Sequence, residues 1–222
     1  MIIATDLSKT YFKGAPNEVV AVDGVNLTIK DGDFITITGP SGSGKSTLMN
    51  LLGLLTYPSK GKILYNEMPV TLYSDAKRTT VRRDMVGFIF QQYNLLLHLS
   101  AWENVGLPLV CRGVETSERK KIAVEMLGRL GIGNRVGFKV AHLSGGEQQR
   151  VAIARALVTE PKIVFADEPT ASVDDENARL IIRLFKEMKE ANKTVVVSTH
   201  DQIFGNEANR RLKMVAGKLT ET

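Results

Sequence analysis

Apolar and polar positions divide the chain into a β-rich start, a helical middle and a second stretch of alternating strands and helices. β-type runs cover about 2–7 and 19–29, and a Lys-Asp-Gly turn leads into a buried-type strand at 34–38. A glycine-rich loop follows, then an apolar helix predicted over about 45–55, with Pro58 and Gly61 closing the unit. Another buried strand is predicted at 85–90. From about 93 to 142 strong strand runs disappear, and 118–130 carries a helical pattern with its charges on one side. After Ser144 a helix runs to about 158, then a strand at 162–166, a helix at 175–191, a strand at 194–198 and a last strand near 212–215. Strands that alternate with helices predict a largely parallel sheet covered on both faces.

Composition changes this picture little. With 43% hydrophobic and 24% charged residues in 222, the chain reads as an ordinary globular domain rather than a disordered one. The longest apolar stretch, 48–55, is broken by Asn50 and Gly53, well short of the roughly 20 residues of a membrane span. The first residues show no basic region followed by an apolar run, so no secretory signal is expected. One cysteine, Cys111, excludes an intrachain disulfide framework and fits a reducing compartment. The net charge of +5 admits nucleic acid, anionic lipid headgroups or plain solubility as its reason. The basic residues are dispersed and not interleaved with aromatics, so nucleic acid is not expected as a partner.

Gly39, Pro40, Ser41, Gly42, Ser43, Gly44, Lys45, Ser46 and Thr47 match G-x-x-x-x-G-K-[ST] between a predicted strand and a predicted helix. Glycines at 39, 42 and 44 let the backbone curl its amides inward, and the helix start adds its positive dipole end. Lys45 supplies a point charge for the β- and γ-phosphates, Ser46 a hydroxyl for Mg²⁺, and Thr47 a contact for the α-phosphate. Downstream, four apolar residues lead into Asp167 and Glu168, which places two carboxylates at the carboxyl edge of the sheet, where ligands bind in open α/β folds. Asp167 would orient the Mg²⁺ shell and Glu168 would act as general base on the attacking water.

Residues 143–157, Leu-Ser-Gly-Gly-Glu-Gln-Gln-Arg-Val-Ala-Ile-Ala-Arg-Ala-Leu, have capping-box spacing between Ser144 and Glu147. A capped helix explains those two but not Gly145 and Gly146, which leave a bare helix N-terminus open to a phosphate. This segment resembles the signature motif of the ABC ATPase family, with Glu147 where glutamine is commonest. The resemblance implies a P-loop NTPase core with a mainly parallel sheet, an antiparallel β subdomain and a helical insert subdomain. It makes 1–222 a single ABC ATPase domain, with 1–92 and 143–222 as core and about 93–142 as insert. It also implies ATP and Mg²⁺ as cofactors and an ATP-dependent homodimer, head to tail, in which Ser144, Gly145, Gly146 and Glu147 contact ATP held by the other copy.

Further roles follow from the same resemblance. Tyr11 matches the aromatic that stacks on adenine, although a strand-end staple also accounts for it. Gln91, rather than Gln92, matches the glutamine that reaches Mg²⁺ and the attacking water. His200 matches the histidine at the γ-phosphate, and Asp174 the aspartate that links the two active sites, with Ala171 and Val173 departing from common forms. The stretch 88–105 is similar to a branch that includes lipoprotein-release, macrolide-export and cell-division ATPases, with Leu97 where proline is usual. A separate integral-membrane subunit at the inner face of the cell membrane is the implied partner. Two other readings fit less well: a DNA- or ribosome-acting ABC ATPase usually carries a long coiled coil or two ATPase domains, and a P-loop kinase or GTPase has no need of the segment 144–147, with the guanine-reading Asn-Lys-x-Asp absent.

Overall fold

The computed structural model describes residues 1–170, 175–199, 204 and 207–222, the side chains of 175–177 excepted. Two sheets organise it. β1 (Ile2–Tyr11), β2 (Val19–Ile29) and β4 (Lys60–Tyr65) form an antiparallel sheet in the order β2-β1-β4. The second sheet has the order β5-β6-β7-β3-β8-β9, built from β3 (Phe34–Thr38), β5 (Val86–Ile89), β6 (Ile163–Asp167), β7 (Thr194–Ser198), β8 (Arg210–Val215) and β9 (Lys218–Glu221). Its pairings are parallel except β8 with β9. Every residue of β6 and β7 is buried, as expected of central parallel strands with both faces covered.

One core lies between the two sheets, where β1, β2, β3 and α1 (Lys45–Leu52) pack together. The other joins the parallel sheet to α5 (Gly145–Leu157), α6 (Asp175–Glu190) and the helices α3 (Ala101–Val110) and α4 (Thr116–Arg129). In α5, Val151, Ala152, Ile153 and Ala154 are all fully buried. Four consecutive buried positions need contact on every side of a helix, and α5 has α3 and α4 on one flank and β5 on another.

The structure corrects the predicted boundaries in several places: β1 runs on to Tyr11 rather than ending near 7, and β9 follows the strand predicted as the last. The first helix ends at Leu52 rather than near 55, with Gly53 as its C-cap and Leu54 in the left-handed region at φ 61°. Gly61 does not close a unit. It lies inside β4 at φ 87°, where an added Cβ would sit 2.3 Å from the Asp6 carbonyl oxygen, so glycine lets β4 approach β1. α2 (Asp75–Met85) gave no apolar signal because its buried positions are Val81 and Arg78. The Arg78 guanidinium stacks 3.7 Å above the Tyr57 ring and donates to the Thr56 carbonyl. The apolar stretch 95–99 is pinned by Asn104, wholly buried in α3, which accepts from the Leu96 amide and donates to the Leu96 and Ser100 carbonyls.

Candidate nucleotide site

The phosphate-type loop is held from both sides by other strands. Gly39 has φ 149° and Gly44 φ 104°, and a Cβ at either would lie 2.0 Å from a main-chain oxygen, of Met214 in β8 and of Ala21 in β2 respectively. Glycine is therefore required at 39 and 44 by contact as well as by conformation. Gly42, at φ 75°, meets open space and needs glycine for its backbone angle alone. Gly44 caps α1 without any side-chain hydrogen bond, and the first turn holds no acidic residue, so the helix start keeps its positive character. The buried Lys45 ammonium donates to the Gly39 and Pro40 carbonyls at 2.7 and 3.1 Å, which lays the charge across the loop. Among the described residues the buried Ser43 hydroxyl has no hydrogen-bond partner.

A cleft of about 340 Å³ opens over this loop, and Ser41, Gly42, Ser43, Gly44, Lys45, Ser46 and Thr47 share it with Gln91, Asp167 and Glu168. These groups come from three parts of the chain, the loop and first turn of α1, the residues just beyond β5 and the end of β6. Asp167 ends β6, and the buried Ser198 hydroxyl at the end of β7 donates to its Oδ1. Glu168 sits in the left-handed region at φ 47°, with its amide donating to the Ser198 carbonyl at 3.0 Å. That turn swings the backbone out of the sheet directly after the strand. Gln91 is exposed just beyond β5, and it lines the cleft whereas Gln92 does not. Tyr11 is half-buried and pairs across the β1–β2 ladder with Val19, which is in the cleft wall while Tyr11 is not. Asp174 and His200 lie outside the described residues.

The glycine pair lies elsewhere. Ser144 and Glu147 form the expected capping box: the Ser144 hydroxyl accepts from the Glu147 amide at 3.3 Å, and Glu147 Oε2 accepts from the Ser144 amide at 2.8 Å. Ser144, Gly145, Gly146 and Glu147 are absent from the wall of the phosphate-loop cleft. Residues 22–171 match the family model described as ABC transporter. The chain belongs to the ABC transporter family. It is a cassette ATPase of that family.

This ABC cassette is 43% identical to the lipoprotein-releasing system ATP-binding protein LolD of Saccharophagus degradans, over 100% of the chain and 97% of the relative. It is 44% identical to the macrolide export ATP-binding/permease protein MacB of Hyphomonas neptunium over 94% of its own length, but spans only 32% of that protein. Among solved structures, the dimeric post-hydrolysis state of the ATP-binding cassette MJ0796 bound to ADP and Pi matches with a TM-score of 0.95 and 40% identity, over 100% and 98% of the two chains.

Sequence reasoning missed how α5 connects the loops of the cassette. The buried Gln149 donates to the carbonyl of Pro169, the residue after Glu168, at 2.7 Å. Near the other end of the helix, the Arg155 guanidinium donates to the Asn94 and Tyr93 carbonyls at 2.5 and 2.6 Å. Burial lowers the pKa of Arg155 from its ordinary value. Its two carbonyl partners belong to consecutive left-handed residues, at φ 58° and 49°, shortly after Gln91. One rigid helix thus touches the turn after Glu168 and the loop after Gln91. Replacing Gln149 with leucine leaves a buried carbonyl without its donor. The expected loss is about 1–3 kcal/mol of stability, read as a lower urea midpoint with an unchanged m-value. A midpoint equal to that of the parent would show that the bond contributes nothing.

Proposed function

We propose that this chain is the ATP-hydrolysing subunit of a transporter whose membrane-spanning part is a separate polypeptide, driven when two copies close head to tail over two ATP molecules. The observation that carries the reading is the separation of the parts. The phosphate loop, Gln91, Asp167 and Glu168 share one cleft, while the exposed, glycine-paired start of α5 does not line it. Two half-sites on one chain are complete only when a second copy brings its helix start to the first cleft. The similarity to a cassette structure described as dimeric supports this.

In the proposed site, Lys45 and the loop amides hold the β- and γ-phosphates, Thr47 contacts the α-phosphate, and Tyr11 stacks on the adenine from beside Val19. Ser144, Gly145, Gly146 and Glu147 of the facing copy, with His200 of the first, close on the γ-phosphate. Asp174 links the two sites. Ser46, Gln91 and Asp167 offer hard oxygen donors in the cleft, one of them a carboxylate, and fit Mg²⁺, which keeps several waters and is bound through one or two carboxylates together with substrate phosphates. Bound there, Mg²⁺ would neutralise phosphate charge. Ser198 fixes Asp167 by its hydrogen bond, Gln91 orients the attacking water, and Glu168 accepts its proton.

The branch reading is that of export, lipoprotein release or mechanotransmission. Its support is the stretch 88–105 and the match to a protein named LolD along nearly its full length. Among the described residues no helix is long and apolar enough to cross a membrane. A separate partner would hold the subunit at the inner face of the cell membrane. The test is co-purification from solubilised membranes, with ATP hydrolysis measured on the captured complex. Recovery of the chain only in nucleic-acid or ribosome fractions would sink the transporter reading.

Leu95 packs on the core, whereas Leu96 and Leu97 are 43% and 54% exposed, as three consecutive leucines require. Leu97 is the proposed docking contact. Leu97→Asp is expected to change stability by about 0.5 kcal/mol or less and to leave the hydrolysis rate of the isolated subunit near the parent value. Stimulation by the membrane partner is expected to be lost. The check is the ATPase rate with and without reconstituted partner, alongside a pull-down. Normal coupling would move the contact elsewhere, and the groove of about 470 Å³ between Leu55, Phe88 and Pro108 is then the next place to mutate.

A further inference from the structure

Glu147 places a carboxylate in the first turn of the helix whose start is proposed to face a phosphate. For the helix itself the charge is favourable, since acidic groups stabilise N-termini. For an incoming anion it is unfavourable, because a unit negative charge in the same turn opposes the dipole and the amides. Capping does not require the charge: a glutamine at this position has the same reach and an acceptor oxygen for the Ser144 amide.

The structure answers the charge locally. Glu147 Oε2 accepts from the Ser144 amide, and its other oxygen, Oε1, accepts from Arg135 Nε at 2.7 Å. Arg135 ends a short 3₁₀ turn, Gly133–Arg135, and its guanidinium lies 4.9 Å from the centre of the Phe138 ring. The Phe138 amide donates to the Arg135 carbonyl at 2.9 Å, so the ring and the arginine are held in one local loop. With side chains 38% and 16% exposed, the pair is too solvated to matter much for global stability. The Arg135 hydrogen bond, followed by those from Ser144, holds the Glu147 carboxyl below its ordinary range. The carboxylate and the guanidinium therefore face each other as a charged pair at neutral pH.

We propose that Arg135 is a positioning residue for the composite nucleotide site: it neutralises and aims the Glu147 carboxylate, so that the start of α5 can accept the phosphate bound by the facing copy. The inference rests on the head-to-tail reading above. It makes the signature segment of this chain a two-part device, Glu147 with Arg135, in which the arginine comes from outside the motif. It requires the role of Arg135 to depend on the charge at 147 and on nothing else.

The experiment is an ATP titration of dimer formation by light scattering, in a Glu168→Gln background that holds ATP unhydrolysed. Arg135→Gln is expected to raise the ATP concentration at half-dimerisation by on the order of five- to tenfold, the size of one uncompensated charge near another in a partly solvated site. Arg135→Lys, which keeps the charge, is expected to recover most of the loss. The deciding arm compares Arg135 with Arg135→Gln when residue 147 is changed by Glu147→Gln. There the penalty for losing the arginine is expected to fall below about twofold, since no carboxylate remains to be neutralised. A penalty of equal size in both backgrounds, or no penalty in either, would overturn the proposal and leave Arg135 as a packing partner of Phe138. Circular dichroism and the urea midpoint of each variant separate a local charge effect from misfolding. A Glu168→Gln parent that never dimerises with ATP would overturn the head-to-tail reading itself, a result distinguishable from failure of the Arg135 arm alone.

Discussion

Glu168→Gln is expected to bind ATP but to lose hydrolysis by roughly 10²–10⁴-fold, the usual loss when a general base is removed. The substitution keeps the size and hydrogen-bonding shape of the side chain. It also leaves untouched the backbone device that aims it, the left-handed turn at φ 47° and the amide bond to the Ser198 carbonyl. Asp167, held by Ser198, and the phosphate loop remain in place. If hydrolysis is what opens the closed pair, blocking it should trap the pair. Light scattering with and without Mg-ATP should then show a doubling of mass at high protein concentration. Near-parental turnover would remove Glu168 from the role of base, and a monomer under all conditions would count against a composite site.

Lys45→Ala is the second large effect expected. Removing the ammonium takes away the cation proposed to hold phosphate in the cleft, at a buried position at the start of α1. Loss of one pre-placed electrostatic donor typically costs about 10²–10³-fold in rate, and the loss of a full charge on a phosphate should reach or exceed that range. ATP affinity should fall as well, because the charge acts on the ground state. The substitution also strips the Gly39 and Pro40 carbonyls of their ammonium donor, so a modest drop in stability accompanies it. Calorimetric titration with ATP and a turnover assay check both parts. A variant that hydrolyses ATP at a near-normal rate would remove this loop from the nucleotide site.

Legibility in the sequence follows how local each feature is. The strand at 34–38, the loop from Gly39 to Thr47 and the helix after it occupy consecutive residues, and their residue types state both conformation and chemistry. The capping box at Ser144 and Glu147 spans four residues and forms as its spacing predicts. Asp167 and Glu168 were legible from a run of apolar residues ending in two carboxylates. Tyr11 shows the limit: its motif is local, but whether it reaches the nucleotide depends on the cleft, which it neighbours through Val19 without lining it. The resemblance to a known family, rather than any local pattern, pointed to Gln91, His200 and Asp174. Of these the described structure brings Gln91 to the cleft.

What the sequence by itself determined is the α/β class, the glycine-rich loop between strand and helix, the capped helix start and the two carboxylates at a strand end, because each depends on neighbours a few residues away. Only the tertiary structure decided that Gly61 admits β4 against β1, that the polar Arg78 is buried beside Val81 in anchoring α2, and that Asn104 holds the leucine-rich loop. It alone joined Arg155 to Tyr93 and Asn94, Gln149 to Pro169, and Arg135 to Glu147. In each of these a polar side chain finds a partner far along the chain, and the pairing is set by which backbone carbonyl or carboxylate folding leaves within reach. Apolar periodicity reports which face of an element is buried. It carries no record of the partner a buried or half-buried polar group must find, since that requirement is met in three dimensions.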